Sequence, residues 1–166
     1  MIAEALFCLA LNAYHEARNQ DIRGMVAVSQ VVINRVESNL FPDEVCEVVM
    51  QGPTRESWKT RQYEDIDEED RVYYPIRHRC QFSWYCDGKS DEPHDEMAWE
   101  QAQLVAGGVY YGKLYPLVEN ALWYHADYVK PGWAESKRVV AKIGNHIFYE
   151  RKKIINRKYY AQIIKC

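Results

Sequence analysis

The chain has 166 residues, 48% of them hydrophobic and 27% charged, with a net charge of −3. Those values describe one globular domain large enough to bury a core, and they exclude an intrinsically disordered chain. The charge is uneven: residues 150–166 carry six basic residues against one glutamate, leaving −8 on residues 1–149, so the acidic body disfavours nucleic acid as a main partner and the tail stands apart as a basic element.

In chain order, the first expected element is a helix from Ile2. Ile2, Leu6, Leu9, Ala13 and Ala17 recur at helical spacing, and Glu16 projects within about 60° of Ala13, on the side of Leu9. His15 and Glu4 project toward the polar side. After a polar break at Arg18-Asn19-Gln20-Asp21, a second amphipathic helix runs from Ile22 through Met25, Val26, Ser29, Val32 and Ile33 to Val36. Phe41-Pro42-Asp43-Glu44 opens a short third helix carrying Val45, Val48 and Val49. Residues 52–79 are strongly polar, with an acidic run from Glu64 to Asp70, and are expected to be a partly mobile surface excursion. Arg71-Val72-Tyr73-Tyr74 and Cys80-Gln81-Phe82-Ser83-Trp84-Tyr85 are expected to pair as a β-hairpin, closed by the Asp87-Gly88 turn. Met97, Gln101, Leu104, Val105 and Gly108 mark one face of a further helix, entered through Pro93 or Asp95. Ala121–Ala126 and Ile143–Tyr149 read as extended, separated by Pro131-Gly132. In the tail, Ile155, Tyr159 and Ile163 repeat at helical spacing among basic residues, the pattern of a basic amphipathic helix suited to an anionic wall or membrane surface. The fold class is therefore α+β, mostly α, in a single domain with a small β element.

Several chemistries can be set against these residues. A glutamate on a buried helical face is costly when ionised, so its pKa rises toward the range a general acid needs. Pairing of Glu16 with Arg18 or another arginine is the plainer reading. His15-Glu16 is not a zinc-protease helix, because the second histidine would fall at position 19, which is Asn19. Phosphate-binding glycine loops are absent. Of the five cysteines, Cys8, Cys46, Cys80, Cys86 and Cys166, at least one has no intrachain partner. Reduced core cysteines are expected, with a bridge from Cys46 to Cys80 or Cys86 as the oxidised alternative. A thiol nucleophile, Cys80 or Cys86 meeting His125 or His146, stays open as a peptidoglycan peptidase or amidase. The thirteen tyrosines and five tryptophans suit carbohydrate surfaces as well as core packing. Met1 is followed by no basic residue and Glu4 interrupts the apolar run, so no secretory signal is read and synthesis is expected in the cytoplasm.

Taken together, the segments resemble the SleB-like cell-wall hydrolases, the spore cortex-lytic enzyme family. Leu11-Asn12-Ala13-Tyr14-His15-Glu16-Ala17-Arg18 is similar to the opening motif. Gly24–Val28 through Val32-Ile33-Asn34-Arg35-Val36, Phe41-Pro42 with Val45-Cys46, and Gln81-Phe82-Ser83-Trp84 with Cys86-Asp87-Gly88 follow in order. Ala121–Ala126, Pro131 with Trp133-Ala134, and Ile143–Tyr149 complete the set. The resemblance covers about residues 5–149. It departs at residues 53–79, which read as an insertion in a 1–149 catalytic domain, and at the basic tail, 150–166.

The resemblance implies a lysozyme-like, lytic-transglycosylase fold with Glu16 as the catalytic residue, needing no cofactor and no metal. The substrate would be the glycan strands of peptidoglycan, cut at the β-1,4 bond between N-acetylmuramic acid and N-acetylglucosamine to leave 1,6-anhydro-muramoyl ends; a lysozyme outcome stays open. Gln81, Phe82, Ser83, Trp84, Tyr124, His125 and Trp133 would bind substrate. His146 and Asn34 read as structural, and Asp87, the candidate second carboxylate, is first of all a turn residue. The enzyme would be a monomer acting on the cell wall, as a phage endolysin or a bacterial remodelling enzyme. A non-enzymatic phage structural protein is the alternative of a different class.

Overall fold

The computed structural model describes residues 1–153. Three helices make the body: α1 (Ile2–Ala17), α2 (Ile22–Val36) and α5 (Glu96–Tyr110), which pack on one another, with the short α3 (Val45–Val49) laid against α1 and α2. Aspartates start two of them. The Asp21 side chain accepts from the Gly24 amide at 3.2 Å and Asp95 from the Ala98 amide at 3.0 Å, satisfying donors that a helix start leaves without partners. Buried Ala13, Tyr14, Met25, Val28, Val31, Ala102 and Val105 fill the space between the helices. A second cluster of Cys8, Leu9, Val32, Val48, Val49, Phe82 and Trp84 lies under α3, and Trp99 and Tyr124 pack against both.

Of the expected face of α5, Val105 is buried, but the buried stripe otherwise runs along the alanines. Ala98, Ala102, Val105, Ala106 and Val109 face the core, whereas Met97 is 83% and Leu104 74% exposed. Both stripes have helical period. The small residues win because they let α5 approach α1 and α2 closely, which longer side chains would prevent.

A three-stranded antiparallel sheet covers one side of the helices in the order β3 (Trp123–Ala126), β5 (His146–Arg151), β4 (Lys137–Ile143). β3 and β5 fall in the segments expected to be extended, and β5 continues to Arg151, past the expected boundary at 149. β4, which carries Lys137, Arg138 and Lys142, gave no expectation. The turn at Gly144, whose φ is +58°, returns the chain from β4 into β5, a conformation that glycine adopts without penalty. The α+β, mostly α fold class holds.

The expected hairpin between 71–74 and 80–85 does not form. Tyr73–Pro75 is a strand, β2, but its partner is β1 (Thr54–Glu56), with Arg55 opposite Tyr74 and Glu56 opposite Tyr73. The polar Thr-Arg-Glu segment carried no strand signal. Ser83–Cys86 is instead a single 3₁₀ turn. The core draws Trp84 inward, so its indole N–H donates to the Asn12 side chain at 2.9 Å, and a turn places it there where a second hairpin strand would not. The excursion at 53–79 thus folds into a hairpin with the short helix α4 (Trp58–Arg61) at its far end.

The cysteine expectation is also corrected. Cys8 is bonded to Cys46, joining α1 to α3 with Cα atoms 5.3 Å apart, and Cys80 is bonded to Cys86 at a Cα separation of 6.1 Å. Both separations fall in the normal disulfide range. Cys46 pairs with neither expected partner, because α1 and α3 fold directly onto one another. The basic helix expected around Ile155, Tyr159 and Ile163, together with Cys166, lies outside the described residues.

Candidate active site

Glu16 sits in the last turn of α1, whose end is fixed from outside. Tyr14 is fully buried, and its hydroxyl accepts from the backbone amides of His94 and Asp95, at 3.1 and 3.0 Å, and from Arg18 at 3.1 Å. One phenol oxygen therefore ties the end of α1 to the start of α5. One turn before Glu16, Asn12 holds Trp84, and the Trp84 indole stacks on His15 with ring centroids 4.6 Å apart. The His15 ring in turn bonds the Asp91 carbonyl at 2.9 Å.

The Glu16 carboxyl points inward, where burial raises its pKa to about 7. Two groups oppose the rise: the Tyr124 hydroxyl and the positive charge of Arg35. The Tyr124 oxygen is buried and makes no hydrogen bond of good geometry among the described residues. Burial and the Glu16 charge beside it push its own pKa well above 10. Among the described residues, Arg35 and Tyr124 are the side chains that act electrostatically on Glu16, and no second carboxylate does so.

Arg35 is the residue that sequence reasoning missed. It is 5% exposed. Its Nε donates to the Leu122 carbonyl at 2.7 Å, and its guanidinium lies 4.7 Å from the Phe41 ring centre and 5.2 Å from that of Phe82. One terminal nitrogen, Nη1, is buried without a partner among the described residues. Burial lowers its pKa while the neighbouring Glu16 and Tyr124 act to raise it, and an arginine stays charged throughout. A signal was present: Val28, Val32 and Arg35 share one face of α2, and a cation there has to be answered by an anion or a dipole.

The structure brings some expected site residues together and separates others. Tyr124 and Phe82 stand around Glu16 and Arg35, their ring centres 6.5 Å apart. Phe82 and Trp84 are buried, Phe82 against Arg35 and Tyr124 and Trp84 against Asn12 and His15, whereas Gln81 and Ser83 alternate outward and are exposed. His125 and Trp133 lie apart, because neighbouring side chains in a strand point to opposite faces. While Tyr124 packs on His146 and Phe148, His125 turns the other way. It stacks on Tyr149, meets Trp133 edge-on, and hydrogen-bonds the Tyr149 hydroxyl at 2.7 Å. Asn34 is structural, its amide donating to the carbonyls of Glu119 and Ala121. Asp87 serves its turn by accepting from the Lys89 amide at 2.8 Å. Neither Cys80 nor Cys86 is a free thiol, which removes the alternative of a thiol nucleophile. A separate cleft of about 780 Å³, lined by Asn34, Asn39, Asn120 and Glu150 among others, does not include Glu16.

A lone glutamate that holds a proton near neutrality, backed by a buried cation, can donate that proton and then persist as a carboxylate. Comparison with known proteins supplies the class. The model of the cell wall hydrolase family matches residues 19–149, and the chain belongs to that family. The match begins three residues after Glu16. The chain is 28% identical over 142 residues to the spore cortex-lytic enzyme of Oceanobacillus iheyensis, covering 84% of this chain and 39% of that protein. It is 27% identical to the Bacillus subtilis spore cortex-lytic enzyme, over 86% of this chain and 36% of that one. The chain thus spans well under half the length of these curated relatives. Its fold is that of the catalytic domain of the germination-specific lytic transglycosylase SleB from Bacillus anthracis, with a TM-score of 0.57 and 22% identity over 88% of this chain and 93% of the other. The Bacillus cereus SleB catalytic domain matches with a TM-score of 0.54 at 24% identity, over 89% and 91%.

Proposed function

We propose that this domain cleaves the β-1,4 bond between N-acetylmuramic acid and N-acetylglucosamine in peptidoglycan as a lytic transglycosylase, with Glu16 as acid and then base. The observation that carries this reading is the lone carboxyl with a pKa of about 7. Glycosidases that work with two carboxylates hold the second one about 5–10 Å away, and among the described residues no second carboxylate acts on Glu16. Substrate assistance fits that arrangement. Glu16 protonates the leaving glycosidic oxygen as the bond to the muramoyl C1 breaks, and the sugar's own acetamide stabilises the developing cation. The Glu16 carboxylate then takes the proton from the muramoyl C6 hydroxyl as its oxygen bonds to C1. That closes the 1,6-anhydro ring and returns Glu16 to its protonated form. Arg35 favours the carboxylate during the interval. Exposed Gln81 and Ser83 would bond N-acetyl groups, and half-buried Tyr124 would face the reacting sugar with Phe82 packed behind it. His125 and Trp133, on the far face of β3, would bind only glycan that wraps beyond the site.

Because the step needs a protonated Glu16, cleavage should decline as the pH rises above about 7. Glu16→Gln should keep the fold and lower turnover by at least roughly a hundredfold, since an amide cannot donate the proton. Mass spectrometry of digested sacculi is the check: 1,6-anhydro ends are expected, new reducing ends would make the enzyme a lysozyme, and near-wild-type turnover by folded Glu16→Gln would end the mechanism.

A further inference from the structure

The segment 53–79 builds a hairpin arm with exposed aromatic rings, rooted beside the loop that carries Phe82. At its root the Gln51 carbonyl accepts from the Gln81 amide at 2.9 Å and the Pro53 carbonyl from the Ile76 amide at 2.9 Å. Gly52 lies against Cys80 so closely that a Cβ there would meet the Cys80 Cα at 2.9 Å. Two residues past Cys80 stands Phe82, which packs against Arg35 and Tyr124, the two side chains that act on Glu16. The arm is therefore continuous with the site.

Its interior is braced by one cation. Arg71 pairs with Glu56 at 2.7 Å, both largely shielded, and reaches toward the carbonyls of Tyr63, Glu64 and Ile66. Thr60 donates to the same Glu56 at 3.1 Å, and the Tyr73 hydroxyl to Glu68 at 2.6 Å. These contacts lie on the Glu56–Tyr73 side of the two strands. On the other side the pairing places Arg55 beside Tyr74, and nothing covers them. Trp58 is 64%, Tyr63 58% and Tyr74 60% exposed, and none of these rings packs on another aromatic ring among the described residues.

Resting on the glycosidase reading above, we propose that the arm is an extension of the glycan groove, on which Trp58 and Tyr74 hold sugars of the same strand beyond the pair at Glu16. Exposed rings with polar tips on a pre-formed surface suit the mixed apolar and polar faces of saccharides. The six acidic residues between Glu64 and Asp70 repel a polyanionic lipid surface or wall polymer, and the bare rings offer the sugar faces of a glycan strand, rather than its carboxylates, a surface to stack on. A polymer held in this way is drawn into the site as a long strand, while a short fragment never reaches the arm.

The test compares the whole chain with its Trp58→Ala/Tyr74→Ala variant, whose substituted side chains are exposed, on long glycan strands and on a muramoyl tetrasaccharide. Both proteins are melted to confirm the fold. The ratio of cleavage on long strands to that on the tetrasaccharide should fall by at least roughly fivefold, taking a stacked ring at about 0.5–1.5 kcal/mol. In the Glu16→Gln background, retention on insoluble sacculi should weaken likewise, with no loss of binding to anionic vesicles. An unchanged ratio, an equal loss on both substrates, or a loss confined to vesicles overturns the arm's role. A parent chain that cleaves no glycan bond in either substrate overturns the glycosidase reading itself, an outcome distinct from cleavage by a parent whose variant matches it.

Discussion

In the proposed mechanism a single proton on Glu16 sets both the chemistry and a cost in stability. The folded pKa lies near 7, above the ordinary value of 4.5, so the native state binds this proton more tightly than the unfolded chain does. The associated stabilisation is fully present below about pH 4.5 and is lost as the pH rises through 7. Glu16→Gln, which never ionises, should therefore match the wild type in urea unfolding at pH 4 and exceed it at pH 8, by on the order of 1–3 kcal/mol. Arg35 limits the same shift from the other side. Arg35→Met should move the pH at which cleavage declines upward, and Arg35→Lys should restore most of it. A pH–rate profile separates this from mere loss of packing under Phe41 and Phe82, which would lower the rate without moving its midpoint. Glu16 was legible in the sequence because its burial follows from local helical geometry. Arg35 stands in an equally clear helical pattern, but its role depends on α1 and β3 meeting α2, and that juxtaposition is set by tertiary packing.

Among the elements, the end of α1 governs how well Glu16 is aimed. Tyr14→Phe removes the acceptor for two backbone amides at the start of α5, and a shielded donor left without a partner costs about 1–3 kcal/mol. The variant should melt at lower temperature and lose turnover beyond the loss of stability, measured well below its midpoint, because the turn bearing Glu16 is no longer tied down. The helices were read correctly wherever period and composition agreed, as in α1 and α2. Errors fell where two signals competed. In α5 the stripe of Met97 and Leu104 outweighed the alanines in hydrophobicity, yet helix approach rewards small volume. At 80–86 the alternation of Phe82 and Trp84 imitated a strand, although a disulfide and the Asn12 side chain coil the chain instead. β1 and β4 carry the polar and basic residues of strands with one solvated face, which local pattern does not distinguish from loop.

At the scale of the whole molecule, the two disulfides divide stability from function. The Cys8–Cys46 bond closes a span of 38 residues and fastens α1 to α3, so in the chain-entropy account its loss costs about 3–4 kcal/mol. Cys80–Cys86 closes a span of only 6, worth about 2 kcal/mol on the same account, but that small loop carries Gln81, Phe82 and Ser83 and meets the root of the arm. Bonds of this kind persist in oxidising surroundings, and the cell wall on which the family acts lies outside the reducing cytoplasm. Cys8→Ser/Cys46→Ser should therefore lower the melting midpoint by roughly 10 °C while leaving sacculus cleavage at 20 °C close to wild type. Cys80→Ser/Cys86→Ser should shift the midpoint less yet lose more cleavage, and more on long strands than on the tetrasaccharide, since the wall of the site and the base of the arm loosen together. Calorimetry paired with muropeptide release on the same two proteins checks the ranking. If the small-loop variant proved the less stable but the more active, the loop at 80–86 would be a structural staple with no part in presenting the site.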